Sequence, residues 1–316
     1  MPSARAVEHF VTLFDCKFLP SGLALHGSLL RHGMPFHLWI LCMDDLVQAQ
    51  LRELALPHVS LLLLTEIETP ALLAVKPLRS RGEYCWTVTS FTFAAVFARD
   101  PSVDRVTYVD ADLFFFRDPS GLLEELDGTS KDLLITEHAY APEYDLTRKA
   151  GRFCVQFLTA RNTPGAHEVL AWWQRRCLEW CYARAEDGKY GDQKYLDQWP
   201  ELFADKVHIL RQVHETLGPW NVRASLARDG QSVPVFYHFH SLRITAQDRV
   251  LLYIGYRIGE AGERLYNEYL SALRVALRLM ETAGMPVPTL PQTSVRARLK
   301  TLKNIVLRRY RSARLD

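Results

Sequence analysis

The run Val106-Thr-Tyr-Val-Asp110-Ala-Asp112-Leu-Phe-Phe-Phe116-Arg-Asp-Pro119 limits the architecture of this chain more than any other stretch. Its β-branched and aromatic residues predict a strand that ends in two carboxylates one residue apart, and a second apolar run follows at once. At period-2 spacing, extended backbone points Asp110 and Asp112 to one side. Two converging carboxylates beside a buried strand are costly unless a cation holds them. A divalent metal that itself carries a phosphate meets that need. The pattern makes the chain a candidate for chemistry on a nucleotide-linked substrate. The structural alternative is a strand-end turn whose acids cap the next helix.

The hydrophobic periodicity places this strand within an alternating series. Residues 9–14, 36–43, 59–64 and 104–109 predict strands, and residues 19–30, 46–54 and 86–98 predict helices between them. Residues 133–136 and 153–159 are further strand candidates. Such alternation indicates an α/β class with a mainly parallel central sheet, in which ligands bind beyond the carboxyl ends of strands. Asp110 and Asp112 stand at such an end. Residues 167–182 predict a helix whose Trp172, Trp173, Leu178 and Trp180 read as core or interface positions. Residues 259–280 predict a long amphipathic helix, with Leu265, Tyr269, Leu273 and Leu277 at i, i+4 steps. Pro286, Pro288 and Pro291 break the chain after it.

With 316 residues, 48% of them hydrophobic, the chain has material for one large domain and an appendage. The expected division is a catalytic unit over 1–245, a helical segment over 246–290 and a tail over 291–316. No stretch approaches the roughly 20 apolar residues of a membrane span, and the N-terminus lacks a signal-peptide layout. Six cysteines are scattered without a CxxC pair. Cys177 and Cys181 could share a helix face, but no zinc-type partner pattern accompanies them. Reduced thiols and a cytoplasmic location are expected.

Net charge is distributed unevenly. Residues 293–316 hold eight basic side chains against Asp316, a net +7, which leaves −5 on the rest of a chain whose total is +2. Leu299, Leu302, Val306 and Tyr310 fall at helical spacing among the bases. A basic amphipathic helix of this kind suits an anionic membrane surface, on the inner face of the cell membrane; a solvated tail is the plain alternative. No nucleic-acid partner is expected, because the body is acidic and no recognition motif appears.

Two later motifs carry chemistry. In Val233-Pro-Val-Phe-Tyr-His238-Phe-His240-Ser-Leu-Arg243, extended backbone would put His238 and His240 on one face. Two imidazoles suit a metal with carboxylate co-ligands, or are hydrogen-bonded core histidines. Arg243 offers a donor to a diphosphate. In Tyr190-Gly-Asp192-Gln193-Lys-Tyr-Leu196, an acid and an amide follow a glycine at the start of a helical turn. Asp192 and Gln193 together can read sugar hydroxyls, or Asp192 caps the turn.

A strand ending in Val-Asp-Ala-Asp, then Gly-Asp-Gln-Lys-Tyr-Leu, then a late His-Phe-His resemble the GT-A glycosyltransferases, a Rossmann-like fold, in particular the galactosyl- and glucosyltransferases of family 8. The chain is similar to bacterial glycosyltransferases of surface-polysaccharide gene clusters. They share runs such as Cys85-Trp-Thr, Leu178-Glu-Trp-Cys-Tyr182, Gly218-Pro-Trp-Asn221 and Phe236-Tyr-His-Phe-His240. The likeness covers roughly residues 8–245. It implies a metal-dependent transfer of a hexose from a nucleotide-diphosphate sugar, UDP-linked, to a glycan or lipid-linked acceptor in lipopolysaccharide, O-antigen or capsule synthesis, with retention. It implies that Thr12, Asp15 and Phe18 hold the base and ribose and that Asp110 and Asp112 bind Mn²⁺ or Mg²⁺. It also implies that Asp110 lies near the donor ribose or sugar. The likeness further implies that His238 or His240 completes the metal site, that Arg243 sits near the position of the family's phosphate-binding lysine, and that Asp192 and Gln193 are the catalytic pair lining the donor sugar.

The chain departs from that pattern in three places, one of them a His238-to-Arg243 spacing about one residue off that of the family's lysine. Phe153-Cys-Val-Gln156 stands where the family has an Asn-Ala-Gly segment contacting the sugar. The family's arginine on the helix before the carboxylate pair has no match among residues 86–93, with Lys76, Arg79 or Arg81 as substitutes. Two other readings stay open. Haloacid-dehalogenase-like phosphohydrolases use a strand-end pair with the first acid as nucleophile, but follow it with Gly-Thr, where Leu113-Phe114 stands here. The other is a non-catalytic module that docks through the tail.

Overall fold

A computed structural model gives the architecture and describes residues 6–228, 233–246, 249–289, 304, 305, 307 and 309–315. Its strands are β1 (Glu8–Phe14), β2 (Phe36–Cys42), β3 (Val59–Leu63), β4 (Arg105–Val109), β5 (Leu113–Phe115), β6 (Leu133–Glu137), β7 (Phe153–Arg161), β8 (Val207–Ile209), β9 (Thr216–Leu217), β10 (Phe236–His238), β11 (Arg243–Ala246), β12 (Arg249–Ile254) and β13 (Tyr310–Arg314). Seven of them form one sheet in the order β3-β2-β1-β4-β7-β6-β8. β7 alone runs against its neighbours β4 and β6; the other pairs are parallel. This is the α/β class with a mainly parallel sheet that the alternation predicts.

Both faces of the sheet are covered, which is why its strands read as nearly continuous apolar runs. Along β1, Phe10 and Phe14 join the cluster under the Leu19–Leu30 and Gly259–Thr282 helices. Val11 and Leu13 join the opposite cluster, with the Arg81–Thr89, Thr92–Arg99 and Pro164–Glu179 helices. Trp173 is fully buried in that second cluster, and Trp180 is nearly buried, as the core reading expects. At Gly22 the chain passes so close to the Phe14 ring that a Cβ would lie 2.5 Å from it, so the first helix can sit tightly on the sheet only with glycine there.

Three local expectations change. The helix expected over 86–98 is two helices, Arg81–Thr89 and Thr92–Arg99, broken at Ser90–Phe91. The buried hydroxyls of Thr87, Thr89 and Ser90 turn back onto carbonyls three or four residues earlier, which competes with a continuous helix there. The helix expected over 167–182 runs from Pro164 to Glu179, capped by Thr163. Tyr310 does not continue a helical spacing from Leu299; it opens β13, which pairs antiparallel with β12. Leu299 and Leu302 lie outside the described residues, as does the backbone at Val306.

Two small sheets complete the molecule. β5, β10 and β9 form one, and β11, β12 and β13 the other. β11 runs through residue 245, where the sequence places the end of the catalytic unit. No helix among the described residues is long and apolar enough to cross a membrane.

Candidate active site

β4 ends at Val109, and the chain turns through Asp110 and Asp112 before entering β5. The turn is closed by the Leu113 amide donating to the Asp110 carbonyl at 3.0 Å. The Asp110 amide is tied to the Gln156 carbonyl on β7 at 3.1 Å, so the pair is anchored to the central sheet. β10 lies antiparallel on β5 with His238 opposite Leu113, and the Phe239 amide donates to the Asp112 carbonyl at 2.9 Å. This three-residue ladder brings His238 beside the carboxylates across a long sequence gap.

The resulting cluster is tight. One donor atom each from Asp110, Asp112 and His238 lie within 4.8 Å of one another. His238 Nε2 is 3.0 Å from Asp112 Oδ1 and 3.7 Å from Asp110 Oδ2. On the other side of the ring, Nδ1–H donates to the Gln156 amide oxygen at 2.7 Å. That bond fixes the ring and leaves Nε2 facing the two acids. Gln156 is fully buried, and its amide nitrogen has no hydrogen-bond partner among the described residues.

The charges are unbalanced in a way a cation would correct. Burial and the Asp112 charge push the Asp110 carboxyl above its ordinary range, against the pull of His238. Burial also opposes ionisation of Asp112, but His238, His240 and Arg243 outweigh it and hold that carboxyl at about 2. His238 is held well above the usual imidazole range: burial alone would lower it, and the Asp112 and Asp110 charges dominate. Two oxygen ligands and one imidazole, converging and partly open to solvent, match the donor set of a divalent cation such as Mn²⁺ or Mg²⁺.

His240 sits at the exposed edge of the cluster, its ring 5.6 Å from that of His238 and 5.9 Å from that of Trp220. Among the described residues the group that can hold a metal contains His238 and not His240. Tyr108 donates its hydroxyl to Asp110 Oδ1 at 2.9 Å. Asp192 is nearly buried and lies within electrostatic reach of Asp110; burial, then that charge, pushes its carboxyl up to about 8. It precedes the Gln193–Gln198 turn without a side-chain capping bond. Its carbonyl accepts from the Trp173 indole at 2.9 Å. The backbone before it needs glycine: Gly191 has φ +54°. The Gln193 amide donates to the Ala150 carbonyl at 2.8 Å.

On the other side of Asp112, Arg243 stands 5.3 Å over the Phe18 ring, and both line a small cavity with Lys17, Ser21 and Leu242. Asp15, nearly buried, accepts from the Lys17 amide with one oxygen and pairs with Arg81 Nε at 2.6 Å with the other. Arg81 also pairs with Asp44, which caps the Asp45–Leu54 helix. Thr12 is fully buried on β1, and its hydroxyl has no hydrogen-bond partner among the described residues.

Two of the departures from the family pattern can be located in the fold. Arg79 donates to the Cys181 and Leu178 carbonyls at 2.7 and 2.8 Å, and Lys76 pairs with Glu68 at 2.7 Å. Arg81 is the one of the three that pairs with Asp15. Phe153, Cys154, Val155 and Gln156 are all buried in β7. Gln156 therefore orients His238, a role that no local motif encodes; the signal lies in the register that sets Val109 opposite Phe157.

No family model matches the chain. It is 32% identical over 255 residues to the uncharacterized protein YfnF of Bacillus subtilis, covering 76% of this chain and 84% of that protein. It is 29% identical over 278 residues to the uncharacterized YfnD of the same organism, covering 84% and 88%. Among solved structures, it resembles the bifunctional glycosyltransferase WbbM in its apo form at TM-score 0.52 and 15% identity, over 89% of this chain and 52% of that one. It resembles apo GlyE, a glycosyltransferase of Streptococcus pneumoniae, at TM-score 0.50 and 16% identity, over 88% and 64%. The chain thus spans about half of WbbM and under two thirds of GlyE. At these identities the likeness is one of fold, and the fold is that of the GT-A glycosyltransferases.

Proposed function

We propose a glycosyltransferase activity for this chain, which belongs to the same family as YfnF. In this reading a hexose passes from a nucleotide-diphosphate sugar, UDP-linked, to a glycan or glycolipid acceptor of a bacterial surface polysaccharide, with retention of configuration. The convergence of Asp110, Asp112 and His238 on one point at the carboxyl end of β4 carries the reading.

Asp110, Asp112 and His238 would hold Mn²⁺ or Mg²⁺, with His240 at the rim. When bound, such an ion offsets the charge that develops on a leaving diphosphate. Arg243 adds a second positive charge on the same side, and Phe18 and Asp15 bound the space for the nucleoside. Arg81 holds Asp15 and Asp44 in one orientation there. Asp192, kept protonated near neutral pH, can donate a hydrogen bond to a sugar hydroxyl, and Gln193 lies next to it.

The same reading keeps 1–245 as the unit of donor chemistry, 246–290 as its helical buttress and 291–316 as the basic tail. The basic residues before Tyr310 would meet an anionic membrane on its cytoplasmic face. A thermal-shift and turnover panel of nucleotide sugars with Mn²⁺ tests the activity. The expected result is stabilisation and donor hydrolysis with a UDP-sugar that disappear in EDTA. Phosphate release without any nucleotide donor would overturn it in favour of a hydrolase.

A further inference from the structure

A cavity of about 540 Å³ that shares no residue with the metal cluster is lined by Arg223, Tyr253, Arg257, Ile258, Gly259 and Glu263. Arg223 and Arg257 are exposed, and among the described residues no acid pairs with either. The carboxylate in the lining is already committed: Glu263 pairs with Arg311 of β13 and accepts from the Tyr253 hydroxyl at 2.5 Å. Arg257 Nε donates to the Leu307 carbonyl at 3.2 Å, and the cavity is left with two guanidinium charges that no carboxylate among the described residues pairs with. Guanidinium groups in this state suit a phosphate or diphosphate, which they can bind in bidentate fashion.

The cavity is connected to the metal cluster by aromatic rings. The Trp220 ring lies 5.5 Å from His238 and 6.2 Å from Tyr140. Tyr140 is within electrostatic reach of Tyr256 and of Tyr190, which is two residues before Asp192. Tyr256 packs on Tyr144 at 5.1 Å, and the Tyr144 hydroxyl accepts from the Arg257 amide at 2.8 Å. Tyr140, Tyr144, Tyr190 and Tyr256 are half-buried. They offer amphipathic surface along the way, with faces for sugar rings and hydroxyls for their polar edges.

We propose that Arg223 and Arg257 form an anion subsite for the acceptor, which carries a phosphate or diphosphate while its glycan lies along the tyrosines towards the metal cluster. Calling the anion an acceptor rests on the glycosyl-transfer reading above; the anion site itself does not. The phosphate has two possible sources, a lipid-linked diphosphate or a phosphorylated soluble glycan.

Calorimetry on the full chain in EDTA, where metal-dependent donor binding is silent, tests it with inorganic pyrophosphate and geranyl diphosphate. Both should bind the wild-type protein. Arg223→Ala/Arg257→Ala should weaken both about tenfold or more, Arg223→Lys/Arg257→Lys should retain part of the affinity, and the melting temperature should be unchanged. Tighter binding of geranyl diphosphate than pyrophosphate assigns the lipid-linked source, and equal binding assigns the soluble one. Absence of binding to the wild-type protein, or equal affinity in the double alanine variant, overturns the proposal. Because no metal is present, a failure of Mn²⁺-dependent UDP binding would refute the donor reading and leave this titration readable.

Discussion

His238 Nε2 lies 3.0 Å from Asp112 Oδ1, while its Nδ1 is held by Gln156, so one imidazole joins a carboxylate pair to the central sheet. The pairing raises His238 and lowers Asp112, and the two shifts bound a pH window for the metal-free protein. Asp112 stabilises the fold above its unfolded value of roughly 4, and that contribution is lost as pH falls through about 2. His238 contributes fully below its unfolded value of about 6.5 and loses the contribution as pH rises through its raised folded value. In EDTA, melting temperature should be highest between these limits, and Asp112→Asn should flatten the alkaline decline. A metal must displace the His238 proton, so Mn²⁺ affinity in the wild-type protein should rise with pH until the raised folded value of His238 is passed. A pH-independent affinity by calorimetry would remove His238 from the metal site.

Gln156 touches no solvent, yet it sets which nitrogen of His238 faces the acids. Gln156→Leu keeps the volume and removes the acceptor. Mn²⁺ affinity should fall by about ten- to a hundredfold, the usual range for a partner that orients a metal-binding histidine. Donor-sugar preference should be unchanged. A variant with unaltered metal affinity and a new sugar preference would return this segment to the sugar-reading role that the family resemblance implies.

Asp192 is the reverse of Asp112. Its folded value of about 8 lies above the unfolded one, so its contribution is present below roughly pH 4 and is lost as pH rises to about 8. Asp192→Asn, neutral and of similar shape, should match the wild-type protein in stability at pH 4 and exceed it by about 1–3 kcal/mol at pH 8. Chemical denaturation at the two pH values measures this. A constant difference would place the ionised form in the native metal-free state.

Arg81 is half exposed; of its two partners Asp44 is partly open to water and Asp15 is nearly buried. Arg81→Ala should cost under about 1 kcal/mol for the Asp44 pair, as exposed ion pairs do, and about 1–3 kcal/mol more for leaving the nearly buried Asp15 without its cation. If it holds the nucleoside side of the site, UDP affinity in Mn²⁺ should nevertheless fall about tenfold, which is about 1.4 kcal/mol. Unchanged UDP affinity would make the Asp15–Arg81–Asp44 group purely structural.

The sequence revealed those features that rest on local period and chemistry. β1, β2, β3 and β4 are apolar runs bounded by turns, and each stands within a residue or so of its expected position. Asp110, Asp112 and His238 could be paired in thought because their residue types converge on one chemistry. Their contact depends on β5 and β10, three residues each, too short for any periodicity to register. Gln156 acquires its role only from the β4–β7 register, a non-local fact. Tyr310–Arg314 was illegible for a related reason: alternating small, polar and basic residues fit a helix face as well as an edge strand, and only β12 decides between them.

That strand changes how the basic tail must be tested. Arg311 pairs with Glu263, Leu315 is nearly buried, and the Gly255 amide donates to the Arg309 carbonyl at 2.6 Å. Removing residues 310–316 takes away a strand and a buried leucine, for which a loss of about 2–4 kcal/mol is expected, read as a melting temperature several degrees lower. Deleting everything after Pro291 would therefore confound membrane affinity with folding. Replacing Arg296, Arg298, Lys300 and Lys303 with glutamine removes about 1 kcal/mol of surface attraction per charge and spares β13. This variant should leave anionic vesicles in a sedimentation assay while keeping its melting temperature and its donor hydrolysis in solution. Undiminished vesicle binding would refute the tail as a membrane contact, and a lowered melting temperature would show that these four charges, too, belong to the folded body.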